Sequence, residues 1–177
     1  VVHHDATLAD GEALNELSRA ALRDLMPDCP DLSEVVTLAA ELGAGIYADI
    51  KDADAVLATM HLLQEAKIAP VIIGAFSTEI VQMLKEAGST YPVAGLVPVG
   101  ADPHMHSKDA DVIHLCWERM AAPQDTLTRE LFGRAFREGK EVVLWHEEDP
   151  QRMAAIRTKP VTGICSDMPE LVNPFRA

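Results

Sequence analysis

The sequence predicts an α/β protein built on a parallel sheet, and three observations carry that prediction. Short apolar runs alternate with helical patterns over most of the chain from Ile46 onward. One of them, Pro70 to Phe76, is apolar throughout, as suits a strand buried on both faces. Most of the runs also end in ionisable residues, and in parallel α/β architectures the working groups lie at the C-terminal ends of strands.

The elements follow in order. Glu12 to Leu25 is polar and helix-tolerant, and Pro30-Asp31-Leu32-Ser33-Glu34 reads as a helix start, with Asp31 or Ser33 as cap and Gly43 to Gly45 as the stop after Leu42. Ile46 to Lys51 reads as a strand, Ala53 to Ala66 as a helix and Pro70 to Phe76 as a strand. Ser77-Thr78-Glu79 caps a helix from Ile80 to Ala87 that Gly88 closes. Strands are predicted at Val93 to Val99, Asp111 to Trp117, Glu141 to Trp145 and Val161 to Cys165, with helices at Leu127 to Glu138 and Pro150 to Ile156. That makes six strands, with at most a partial one at Val1-Val2. A (β/α)8 barrel typically needs about 250 residues. The expectation is therefore a single domain over residues 1–177 that resembles a barrel lacking its first one or two βα units. An open doubly wound sheet is the alternative, weakened as a nucleotide binder because no glycine-rich phosphate loop is visible.

Composition narrows the function. With 177 residues, 48% hydrophobic and 24% charged, the chain is an ordinary globular protein. Its formal net charge of −13 argues against a nucleic acid or an anionic membrane as a standing partner, because both would be repelled. Cys29, Cys116 and Cys165 lack C-x-x-C spacing, so reduced thiols are expected. No apolar run reaches the roughly 18 residues of a membrane span, so stable membrane insertion is not expected and a cytoplasmic location is.

The strand ends are His4-Asp5, Asp49 with Lys51, the loop carrying His104 and His106, Glu118-Arg119, His146-Glu147-Glu148 and Ser166-Asp167. Strand alternation puts Asp49 and Lys51 on one face, as a structural ion pair or as a carboxylate for a hard cation beside an ammonium for a phosphate oxygen. A histidine can exchange a proton with a leaving alcohol near neutral pH. Glu118 and Glu147 read equally as functional acids or as a solvated rim, and Trp145 as a wall for the alcohol part of a substrate or as core filler. His104-Met105-His106 reads as a solvated loop, and Asp167 as a substrate contact or a loop cap.

The order of these motifs resembles the glycerophosphodiester phosphodiesterase family, whose (β/α)8 barrel is related to the phosphatidylinositol-specific phospholipases. "VVHHDATL" is similar to its strand ending in His-Asp, and "PDLSEVVTL" to its Pro-x-Leu-x-Glu helix start. "IYADIK" resembles its Glu-Ile-Lys strand with Asp49 in place of Glu, and "VIIGAFSTEIVQMLKEA" its Ser-Phe segment with Ala75 in place of Ser. In "GKEVVLWHEEDPQRMAAIRTKPVTGICSDMPELV", Gly139, Trp145, Gly163, Asp167 and Pro169 match the C-terminal signature, while His146, Glu147 and Thr162 depart from it. The resemblance implies metal-dependent hydrolysis of a small-molecule glycerophosphodiester to glycerol 3-phosphate and an alcohol, with Mg2+ or Ca2+ as cofactor. It implies His4 as one of two catalytic histidines, Asp49 as metal ligand and Lys51 as phosphate contact; Trp145, Glu118 and Glu147 are candidate substrate contacts from their strand-end positions alone. The family's His-Arg and Glu-x-Asp motifs precede the His-Asp motif, so residues 1–177 taken alone are expected to be inactive.

Overall fold

The structure, a computed structural model, describes residues 1–117, 120, 122–168 and 170. The chain forms two compact units, Val1–Ile73 and Gly74–Ala177.

In the first unit Val1 to Thr7 are exposed, and Val1-Val2 form no strand. Instead the Val2 N–H donates to the Pro30 carbonyl at 2.8 Å. Helix α1 spans Arg19–Leu25, shorter than the helix-tolerant tract, because the Ser18 hydroxyl accepts from the Ala21 N–H and starts the helix there. Helix α2 spans Leu32–Leu42 and opens with a capping box in which the Asp31 N–H donates to Glu34 Oε2 at 2.7 Å. Gly43 ends it at φ 63°, a conformation that only glycine adopts without cost. The Asp31 carboxylate also takes Arg23, at 2.7 Å, and Arg19, which lowers its pKa and ties α1 to the start of α2. Strand β1, Ile46–Asp49, precedes helix α3, Ala55–Ala66, whose Val56 and Leu63 are fully buried. The Ile46 N–H donates to the Pro70 carbonyl at 2.9 Å, at the entry to strand β2, Val71–Ala75, which crosses the division between the units.

The second unit continues with helix α4 (Thr78–Glu86), strand β3 (Val93–Val97), helix α5 (Pro103–His106), strand β4 (Val112–Cys116), helix α6 (Arg129–Arg137), strand β5 (Glu141–Trp145), helix α7 (Pro150–Ile156) and strand β6 (Gly163–Ile164). Strands β3 to β6 are parallel and lie in chain order, with Leu96 opposite His114, His114 opposite Val143, and Val143 opposite Gly163. Alternation sends Ile113, Leu115, Val142 and Leu144 to the face where Leu131, Ala135, Met153 and Ile156 of α6 and α7 pack. Each such side chain contributes roughly 1.5–3 kcal/mol by leaving water. β3 stops at Val97, short of the predicted Val99, because Pro98 has no N–H for the ladder. β6 is also shorter than predicted. Among the described residues no helix is long and apolar enough to cross a membrane.

The largest departure from expectation is α5, where a solvated loop was predicted. Asp102 caps this single turn by accepting from the Met105 N–H at 2.8 Å, and Pro103 sits in its first turn. Ser107, fully buried, donates to the Gly95 carbonyl at 3.2 Å, and a Cβ on Gly95 would lie 2.8 Å from the Ser107 hydroxyl. His104 is buried too, with its Nδ1 at 2.9 Å from Glu138 Oε2.

Candidate active site

In the first unit, a cavity of about 690 Å³ opens where β1 ends, lined by Asp5, Tyr47, Asp49, Lys51 and Asp52 among others. β1 stops at Asp49, short of the predicted Lys51, yet the two side chains meet as the sequence predicted and form an ion pair. Asp49 uses only one oxygen for this pair. Its Oδ1 is buried and has no hydrogen-bond partner. An uncompensated buried carboxylate oxygen costs free energy, and a cation would offset that cost. The carboxylates of Asp5, Asp49 and Asp52 on the wall offer the oxygen donors that Mg2+ and Ca2+ take, with the His3 imidazole beside them.

His4 sits beside this cavity in sequence but is 81% exposed, with its Nδ1 at 2.8 Å from Asp5 Oδ1. It is His3 and Asp5 that line the wall, and the Asp5 N–H donates to His3 Nδ1 at 3.2 Å. The structure therefore brings Asp49, Lys51 and Asp5 to one cavity, and holds His4 to that group through Asp5.

The second unit gathers its own polar groups after β5 and β6. Trp145, half-buried, meets Phe76 edge-on with centroids 6.4 Å apart, and its ring lies 5.5 Å from that of His146. The Trp117 indole N–H donates to the His146 carbonyl at 2.9 Å. Glu147 is 3% exposed, and its carboxylate accepts from the N–H groups of Glu148 at 3.1 Å and Asp149 at 2.8 Å, with Arg152 3.6 Å away. This acid thus organises its own loop, turned away from water. Asp149 caps α7, and the N–H groups of Arg152 and Gln151 hold its carboxyl below the usual range. Glu118, like Arg119 and Pro169, lies outside the described residues.

Two arrangements went unread in the sequence. His146, Glu148 and Asp167 converge so that one ligand atom from each lies within 4.8 Å of the others. Their positions at the ends of neighbouring strands were visible, and the sequential strand order is what joins them. His114, in the middle of β4, is buried with its Nε2 3.9 Å from the Cys165 sulfur. Burial lowers the His114 pKa to about 4 and raises that of the Cys165 thiol. The apolar run around His114 gave the only hint of this burial.

Solved structures with the same chain path point in one direction. A protein from Silicibacter pomeroyi DSS-3, assigned as a glycerophosphoryl diester phosphodiesterase, is 18% identical with a TM-score of 0.74 over 96% of this chain and 75% of its own. A glycerophosphodiester phosphodiesterase from Parabacteroides distasonis ATCC 8503 is 16% identical with a TM-score of 0.73, over 95% of this chain and 74% of its own. A phosphodiesterase from Oleispira antarctica, solved in complex with the product sn-glycerol-3-phosphate, is 14% identical with a TM-score of 0.68, over 95% and 75%. At these identities the likeness establishes the α/β fold. No curated protein matches the chain. The model of one family does match it, over residues 1–171, a span that holds every motif position named above up to Pro169: the chain belongs to the glycerophosphoryl diester phosphodiesterase family.

Proposed function

We propose that this protein hydrolyses glycerophosphodiesters to glycerol 3-phosphate and an alcohol, with Asp49 holding a divalent cation, Lys51 binding the phosphate and His4 moving a proton. The observation that carries this reading is the buried, unpartnered Oδ1 of Asp49 beside the Lys51 ammonium in a cavity that Asp5 and Asp52 also line. The product bound to the Oleispira antarctica phosphodiesterase supports the same substrate class.

Water adds to phosphorus, the bond from phosphorus to the alcohol oxygen breaks, and the leaving oxygen takes up a proton. Mg2+ or Ca2+, when bound, offsets charge that builds on the phosphoryl oxygens. Lys51, ion-paired with one oxygen of Asp49, would present a point charge to the same anion. Asp5, at 2.8 Å from His4 Nδ1, orients the ring and leaves Nε2 to exchange a proton with water or the leaving oxygen.

The test is release of glycerol 3-phosphate from glycerophosphocholine by the full-length protein, with Mg2+ or Ca2+ and then with a chelator. Activity is expected to vanish with the chelator and to return with the metal. His4→Ala is expected to lower kcat by about 10²- to 10⁴-fold. Asp49→Asn is expected to raise the metal concentration needed for half activity. Hydrolysis indifferent to chelator and to both substitutions would overturn the assignment.

A further inference from the structure

We propose that His146, Glu148 and Asp167 form a cation site of their own, suited to a d-block dication of the zinc class. The proposal goes beyond the hydrolysis reading and does not depend on it, since all three residues belong to the second unit.

The donor set makes the first argument. One imidazole nitrogen and two carboxylates meet within 4.8 Å. Zinc bonds to histidine nitrogen and carboxylate oxygen at about 2.0–2.2 Å, so donor atoms around one ion stand roughly 3–4 Å apart, and small side-chain rotations reach that spacing. Imidazole favours zinc-class ions over Mg2+ or Ca2+, which take oxygen alone. Three protein ligands would leave a coordination position open to water.

Charge makes the second. His146 Nδ1 lies 2.6 Å from Glu148 Oε2, and this imidazole is the one group of the trio able to carry positive charge. Two carboxylates thus meet a single imidazole in a chain of net charge −13, an arrangement that a dication neutralises.

Preorganisation makes the third, because bonds from outside the trio hold its backbone. Trp117 fixes the His146 carbonyl, and buried Glu147 fixes the N–H groups of Glu148 and Asp149. The Glu147 N–H donates to the Cys165 carbonyl at 3.3 Å, tying the loop after β5 to the loop after β6. The ligands are therefore brought together before any ion arrives, so little ordering remains to oppose binding.

The test is a calorimetric Zn2+ titration of the full chain in excess Mg2+, carried out in an Asp49→Asn background so that the other proposed cation site is weakened and filled by Mg2+. One Zn2+ per chain is expected, and Co2+ in its place should show the visible absorption of a low-coordinate site. His146→Ala and Glu148→Gln are each expected to weaken Zn2+ by at least about 10- to 100-fold, the loss typical of disturbing even an outer shell. The amide introduced by E148Q keeps an oxygen for the Asp167 N–H, which donates to Glu148 Oε1 at 3.2 Å, so this variant reports ligation with the loop intact. Near-ultraviolet circular dichroism of each metal-free variant should match the parent. Undiminished Zn2+ affinity in the correctly folded variants, no Zn2+ uptake by the parent, or displacement of Zn2+ by equimolar Mg2+ would overturn the proposal.

Discussion

His114 shows how much one buried side chain can govern. Its pKa falls from the ordinary 6.5 to about 4 because burial penalises the imidazolium. Between those values the unfolded chain takes up a proton that the folded chain refuses, so stability drops as pH falls through this window, by roughly 3 kcal/mol at most. His114→Leu is expected to flatten the dependence of Tm on pH between neutrality and about pH 4, the lower limit set by the folded pKa; an unchanged slope would sink this account. Glu147 is the second case. Glu147→Ala would leave the N–H groups of Glu148 and Asp149 without their acceptor, and is expected to cost about 1–3 kcal/mol in urea unfolding. At this scale the sequence was legible where a local rule applies. Period-two alternation was enough to pair Asp49 with Lys51. Glu147 read as possible rim because nothing local says that an acid after a strand turns inward to hold its own loop, and the convergence of His146 and Glu148 with Asp167 depends on which strands are neighbours.

Elements were legible where glycine, proline and capping residues punctuate the chain. Gly43 and Ser77 bound their helices as predicted or within a residue or two of it, and the helix from Pro150 to Ile156 has the bounds predicted. One-turn α5 escaped because four residues are too few to show a helical period. Its burial is decided elsewhere: Gly95 on β3 leaves room for Ser107, and Glu138, just past α6, pairs with His104. Gly95→Ala is accordingly expected to destabilise the protein by about 1–3 kcal/mol through overpacking, read as a lower urea midpoint at constant m. A midpoint equal to that of the parent would show that α5 does not press on β3. The His104 and Arg134 side chains also pull the Glu138 carboxyl down to about 2, so that their contribution to stability is present above its usual 4.5 and is lost as pH falls toward 2.

Over these 177 residues the net charge of −13 sets a field that an anionic substrate would cross to reach the proposed phosphate contact, Lys51. Screening should therefore help a diester that carries net negative charge: kcat/KM for glycerophosphoglycerol is expected to rise from low to moderate ionic strength, while that for zwitterionic glycerophosphocholine stays nearly flat. The opposite ranking in a salt series would mean that the cavity's local field outweighs the global one. The α/β class and the strand sequence were readable at this scale because repeated βα alternation leaves few arrangements open. The side-by-side succession of β3, β4, β5 and β6 has one more consequence. Every strand from β4 on finds its template in the strand made just before it, so on the ribosome this unit can assemble vectorially, without waiting for residues still to be translated.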